Sequence, residues 1–142
     1  MVDWLTELPA WRRSLLGVYY CYIDTMGQSL HSWYVFNTSI LAPEAVDGFR
    51  MFGLAKCADI IAEANSYFGN TYPRDLRERS RSLPEYEKRD LKFPFSELGS
   101  RFRLAIAEEI GDEGLEVISD RYICARLGLV DRQPGEETER TT

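Results

Sequence analysis

Acidic residues in the last third of the chain form the pattern that comes closest to a chemical function. They recur at steps of four, three and four residues, with one further acid between them. On a helix they would form one row with about 5 Å between neighbours. Such carboxylates can imitate nucleic-acid phosphates, or they can supply metal ligands or an acid and a base for hydrolysis. The residues are Glu109, Asp112, Glu113, Glu116 and Asp120.

Imitation of DNA requires a second row of acids, because one DNA strand carries a phosphate about every 3.4 Å. Asp59 and Glu63 are four residues apart and are the candidates for this row, with Asp47 and Glu44 as further candidate members. The alternative is that both rows are solvated helix faces, with acids near the N-terminal ends that they favour. The sequence leaves this alternative open.

Residue types used by other catalytic or metal sites are scarce. His31 is the single histidine, and Cys21, Cys57 and Cys124 do not lie at metal-ligand spacing. Their odd number does not indicate a disulfide framework. There is no glycine-rich phosphate-binding loop. We therefore expect no metal and no cofactor, and we assign no catalytic residue.

Trp33 and Tyr34 are candidates for contact with a partner protein. Together with Phe36 they lie almost in a row, so one helix cannot direct all three side chains into a core. An exposed aromatic side chain is a typical anchor of a protein interface. The alternative is that neighbouring helices cover all of them.

Charge is unevenly distributed along the chain, and this bears on the class of partner. The net charge of −6 divides into −3 over residues 1–73, +3 over 74–103 and −6 over 104–142. A negative C-terminal third repels nucleic acid, so we expect no direct binding of it, with the basic segment 74–103 as the rival interpretation. The cysteine count favours a reducing compartment, and no apolar run reaches the length of a membrane span. A cytoplasmic protein is therefore expected.

Helical spacing of apolar residues predicts an all-α fold, a single-domain bundle of about six to seven helices. We expect the domain to cover residues 1–130 and residues 131–142 to form a disordered acidic tail. Glycine and proline separate the predicted helices. These are 11–26, 29–37 (with a strand as the rival), a helix that begins at Pro43 and is divided at Gly53 from the next one, 54–68, then 73–82 ended by Pro84, a helix capped by Ser96 and running to Ile110, and 113–127 capped by Asp112.

Four segments between residues 15 and 83 carry a resemblance to a known family. They are the aromatic helix Tyr19–Ile23, the segment Tyr34–Ser39, the helix Phe52–Ala64 and the proline-led, arginine-rich Pro73–Arg77. In this order they resemble the bacterial DNA-mimic-protein family, and the helices after Ser96 fit the length and order of that family. At Gln28–His31 the chain departs from the family, which has an acidic residue and then Asn-Gly-Gly-Phe there.

The resemblance implies an all-helical protein that mimics DNA toward a DNA-binding regulator. A toxin neutralised by an immunity protein is the other partner expected for a small acidic protein, because opposite charge accelerates encounter. A homodimer is left open, and a small carboxylate-dependent hydrolase or nucleic-acid-processing enzyme is the alternative from another class. The working hypothesis is a non-enzymatic acidic inhibitor that masks a basic surface of a partner protein. Its expected contact residues are the two acidic rows, Trp33 and Tyr34.

Overall fold

A computed structural model describes residues 3–88 and 94–128, with side chains for 4–83 and 95–128. Every regular element in these ranges is helical, which confirms the all-α prediction, and six of the helices have seven or more residues. A short 3₁₀ helix, Asn37–Leu41, connects α3 to α4. The α-helices are α1 (Asp3–Glu7), α2 (Ala10–Gly27), α3 (Leu30–Tyr34), α4 (Ala42–Met51), α5 (Ala55–Ser66), α6 (Leu76–Lys88), α7 (Pro94–Glu109) and α8 (Leu115–Arg126).

Two glycines allow α2 and α4 to cross at close range. A Cβ atom added to Gly17 would lie 2.6 Å from the backbone nitrogen of Ala45. A Cβ atom added to Gly48 would lie 2.4 Å from the carbonyl oxygen of Ser14. Because both contacts are with backbone, larger residues cannot be accommodated by a rotation of the neighbouring side chain. The order of packing continues from α4 to α5 and from α5 to α7.

Aromatic rings fill the core between α3, α4, α5 and α7. The ring centroids of Phe49 and Phe102 are 5.6 Å apart, and those of Tyr34 and Phe95 are 5.2 Å apart. All four side chains are buried. Burial of one such side chain stabilises a fold by about 1.5–3 kcal/mol, so this cluster fixes the positions of the helices around it.

Pro84 and Pro94 lie within helices, contrary to the predicted helix boundaries. α6 continues through Pro84 to Lys88, since a proline removes one hydrogen bond without preventing helical backbone on either side. α7 begins at Pro94, two residues before Ser96, because the fixed φ of proline suits the first position of a helix. The predictions that Pro84 ends a helix and that Ser96 caps one are therefore wrong.

The last helix begins later than predicted. The N-cap of α8 is Gly114, and no side chain makes a capping hydrogen bond there. Gly111 and Gly114 have positive φ angles of 60° and 86°, a region that favours glycine. These two residues extend the turn between α7 and α8, so the predicted start at Glu113 and the predicted cap Asp112 are wrong.

The segment that departs from the family motif, Gln28–His31, begins α3. The hydroxyl oxygen of Ser29 accepts a hydrogen bond from the backbone N–H of Ser32 at 3.0 Å, as a helix N-cap does. Leu30 is buried in the core. The helical interpretation of this region is confirmed and the rival strand is not formed. The segment therefore starts a helix and contributes to the core.

Two further predictions concern the C-terminal tail and the absence of a membrane span. The acidic tail 131–142 lies outside the described residues. Within the described ranges, none of the helices has the length and apolar character needed to cross a membrane.

Candidate functional site

The predicted row of acids is divided between two helices. Glu109 is the last residue of α7, whereas Glu116 and Asp120 lie one turn apart on α8. The turn that contains the two positive-φ glycines separates them. The row of acids is therefore interrupted between α7 and α8, in agreement with the two separate helices predicted over 96–110 and 113–127.

The remaining four acids are all exposed, and we name them the acidic patch: Asp112, Glu113, Glu116 and Asp120. The guanidinium of Arg121 donates a hydrogen bond to the carboxylate of Glu113. The other three carboxylates form no ion pair and no hydrogen bond with the part of the chain that the structure describes. The acidic patch thus carries more negative charge than its own arginine can balance.

An exposed apolar side chain lies within the acidic patch. Val117 follows Glu116 on α8 and is 46% exposed. Along the helix it is three residues before Asp120 and four before Arg121, so all three share one face. Sequence analysis missed it, because a valine inside an apolar-rich helix is ordinarily expected in the core.

Contacts with α2 and with the end of α4 hold α8 in place. Ser119 is buried, and its hydroxyl is 2.5 Å from that of Tyr19 on α2. The ring of Tyr122 packs at 5.3 Å from Phe52 and at 6.5 Å from Trp11. Because these contacts occupy the inner side of α8, the acidic patch is presented on its outer side.

Glu109 was a candidate for contact with a partner, but its carboxylate forms hydrogen bonds within the protein. Its two carboxylate oxygens accept hydrogen bonds from the backbone N–H groups of Lys56 at 3.1 Å and Cys57 at 2.8 Å. These groups belong to the first turn of α5, which has no side-chain cap of its own. Glu109 therefore caps α5 from a different helix.

The second predicted row, Asp59 and Glu63, is exposed on α5, but each acid has an internal partner. Asp59 is 3.2 Å from the guanidinium of Arg50, and Glu63 is 3.2 Å from that of Arg101. All four side chains are about half or more exposed, so each ion pair contributes little to stability. This row is close to electrically neutral, unlike the acidic patch.

Trp33 and Tyr34, the predicted interface anchors, are fully buried. Their ring centroids are 5.3 Å apart, and the hydroxyl of Tyr34 donates a hydrogen bond to the side-chain oxygen of Asn65 at 2.6 Å. Burial raises the pKa of Tyr34 well above its ordinary value. The structure corrects the prediction, because surrounding helices cover both rings and leave neither on the surface.

Basic residues of the segment 74–103 are used inside the protein. Arg74 donates two hydrogen bonds to the carboxylate of Glu44, which is buried, and this pairing raises the pKa of Arg74. Arg101 pairs with Glu63, as described above. Arg103 donates to the carbonyl oxygens of Thr25 and Gln28, each at 3.1 Å, at the end of α2.

Arg79 is a buried cation that the sequence did not reveal. Its guanidinium donates to the carbonyl oxygens of Tyr34, Phe36, Pro73 and Arg74 at 2.6–3.3 Å. The side chain is only 1% exposed, and burial lowers its pKa. Since Arg79 and the three arginines above are held by internal acceptors, this segment offers fewer cations to nucleic acid than its composition indicates.

Metal ligands and reactive thiols are not brought together in the described ranges. No group of three or more histidine, cysteine, aspartate or glutamate side chains there could hold a metal ion. Cys21 and Cys57 are buried free thiols. Burial raises the pKa of both, and the carboxylate of Glu109 adds to the effect on Cys57. Neither thiol is therefore activated as a nucleophile.

Comparison with known proteins gives one match. A family model described as DMP19-like protein, where DMP stands for DNA mimic protein, matches residues 6–123. Neither the curated proteins nor the solved structures yield a match. The matched range contains α2 to α7 complete and all four residues of the acidic patch. The chain therefore belongs to the family of DMP19-like proteins.

Proposed function

We propose that this protein is a non-enzymatic inhibitor that occupies the DNA-binding surface of a cytoplasmic DNA-binding protein. Membership of a family named after a DNA mimic protein supports the proposal. The observation that carries it is the acidic patch, in which, among the described residues, one of four exposed carboxylates is paired with an arginine. A surface that binds DNA phosphates is basic, and the acidic patch complements it in charge.

The acidic patch presents a series of negative charges that is sparser than the phosphates of one DNA strand. Glu116 and Asp120 are four residues apart on α8, about 6 Å along the helix axis. Asp112 and Glu113 extend the charge into the preceding turn. Measured along the duplex axis, one DNA strand carries a phosphate about every 3.4 Å, so the carboxylates provide a similar but sparser series of negative charges. Such charge mainly accelerates association and selects basic partners.

Val117 gives the acidic patch a means of holding a partner after encounter. Charged pairs at the rim of an interface contribute little free energy, whereas a desolvated apolar side chain contributes more. Val117 is exposed among the acids and has no charged group of its own to desolvate. We expect it to contact an apolar side chain between the basic residues of the partner.

We expect a smaller contribution from Asp59 and Glu63. A basic partner must first displace Arg50 and Arg101 from these carboxylates. The exchange replaces one exposed ion pair by another and gives little net free energy. Their role in the proposal is therefore to extend the surface without adding substantial charge.

A toxin is the other class of basic partner. Competition with duplex DNA distinguishes a DNA-binding partner from a toxin. If the partner is a DNA-binding protein, duplex DNA competes for the same surface and displaces it from the inhibitor. A toxin whose active surface does not bind DNA stays bound. The hydrolase alternative gains no support from the described residues, in which no metal-binding group of acids is formed.

The proposal is tested by capture from a lysate of the native cells on the immobilised protein. The bound material is eluted with duplex DNA, identified by mass spectrometry and purified. We expect an eluted protein that binds DNA alone and loses DNA when the inhibitor is added. A captured protein that duplex DNA cannot displace contradicts DNA mimicry and favours the toxin interpretation.

Charge-reversal variants locate the contact surface. Glu116→Lys with Asp120→Lys removes the unpaired acids of α8 and is expected to abolish capture. The matched control is Glu78→Lys with Glu97→Lys, which changes the net charge by the same amount at exposed positions on α6 and α7. The control is expected to capture the same protein as the unaltered chain. Equal capture by both variants would exclude the acidic patch as the contact.

A further inference from the structure

We infer that Glu109 is a positioning residue of the acidic patch, although it makes no contact with the partner. The inference rests on the proposed function. Glu109 ties the end of α7 to the first turn of α5 and so fixes the point from which the chain enters the acidic patch. Its carboxylate acts as a structural ligand for backbone N–H groups.

The contact between Glu109 and α5 provides hydrogen-bond acceptors for backbone N–H groups that have no side-chain cap in their own helix. The N-cap residue of α5 is Leu54, which has no side-chain acceptor. The N–H groups of Lys56 and Cys57 therefore need acceptors from elsewhere. Glu109 supplies one carboxylate oxygen to each, at 3.1 Å and 2.8 Å, and the negative charge also suits the positive end of the helix.

Glu108 adds a weaker contact at the same place. Its carboxylate is 2.5 Å from the ammonium nitrogen of Lys56, but both side chains are more than half exposed. An exposed ion pair of this kind contributes little. Glu109 is less exposed than Glu108 and bonds to backbone rather than to a flexible side chain. Of the two acids, Glu109 therefore makes the stronger contact between the end of α7 and α5, next to the buried side chains of Ile106 and Ile110.

Glu109 lies close to the acidic patch along the chain. It is the last residue of α7, and Asp112 follows three residues later. At the other end of the acidic patch, the hydroxyl of buried Ser119 forms a hydrogen bond with the hydroxyl of Tyr19. The acidic patch is thus held from both sides, and a surface ordered before binding loses less conformational entropy on binding.

The test compares three variants of the full chain. Glu109→Ala removes both acceptor oxygens, and Glu109→Gln removes the charge while keeping one acceptor. Tyr34→Phe is the control, because it deletes the hydrogen bond to Asn65 in a different part of the fold. The measurements are amide NMR spectra with hydrogen exchange, and affinity for the DNA-displaceable protein at several salt concentrations.

We expect Glu109→Ala to accelerate amide exchange at Lys56 and Cys57 and to shift the amide signals of residues 112–114. Affinity should fall by about five- to tenfold, because a less ordered acidic patch loses more conformational entropy on binding. The slope of affinity against salt should stay that of the unaltered chain, since the acidic patch keeps its charges. The affinity of Glu109→Gln should lie between the affinities of Glu109→Ala and the unaltered chain. Tyr34→Phe should retain full affinity.

The results separate this inference from the proposed function. If Glu109→Ala keeps full affinity while the α8 charge reversal loses it, the positioning role is excluded and the proposed function stands. If no DNA-displaceable protein is captured, the proposed function fails, and the NMR spectra still decide on Glu109. Unchanged signals for residues 112–114 in Glu109→Ala overturn the inference in either case.

Discussion

Gly48 of α4 lies directly against the carbonyl oxygen of Ser14 on α2, where a Cβ atom would approach to 2.4 Å. We therefore expect Gly48→Ala to force the two helices apart and to lower the free energy of unfolding by about 2 kcal/mol. Urea unfolding monitored by circular dichroism measures the change. The control is Gly27→Ala at the end of α2, where nothing lies within 4 Å of the added atom. It should be stabilised by about 0.5 kcal/mol, and equal effects at both positions would contradict the close crossing.

Arg79 provides a second prediction about stability. Arg79→Leu leaves four carbonyl oxygens without their donor and should lower the free energy of unfolding by about 3 kcal/mol. Arg77→Leu is the matched control, since Arg77 is exposed two residues earlier on α6. It should change stability by less than about 0.5 kcal/mol. Thermal unfolding of both variants is the measurement, and a stable Arg79→Leu protein would exclude the proposed role of the buried guanidinium.

The reactivity of the thiols follows from the direction of their pKa shifts. Burial raises the pKa of Cys21 and of Cys57, so a smaller fraction of each is thiolate near pH 8 than for an exposed cysteine. We expect one thiol per chain, that of the partly exposed Cys124, to react with a disulfide reagent in the folded protein. All three should react in urea. Three equally fast thiols in the folded protein would contradict the burial of Cys21 and Cys57.

Periodicity along the chain was sufficient to predict the class of the fold. Apolar residues at three- and four-residue intervals, ended by Gly27 and by Gly69, placed α2 and α5 to within a few residues. Such patterns are local, and they state only which face of a helix is apolar. They do not state which other helix covers that face. Trp33 and Tyr34 were therefore candidates for partner contact, with coverage by neighbouring helices left open, and both are buried.

The candidate site was predictable in composition but not in contacts. The acids of residues 109–120 are visible in the sequence, and four of them are exposed. The capping role of Glu109 joins residues 52 positions apart, as does the Glu108–Lys56 ion pair. No local pattern indicates such a contact, because only the packing of α5 on α7 brings these groups together. The same reasoning applies to Arg79, whose acceptors lie on two separate segments, 34–36 and 73–74.

The rate of association with the DNA-displaceable protein, measured by stopped-flow at increasing ionic strength, tests the central claim most directly. For the unaltered chain and for the control Glu78→Lys with Glu97→Lys, we expect fast association that slows as salt is added. For Glu116→Lys with Asp120→Lys, association at low salt should be at least about tenfold slower and nearly independent of salt. An α8 variant that associates as fast, and with the same salt dependence, as the unaltered chain would contradict binding through the acidic patch.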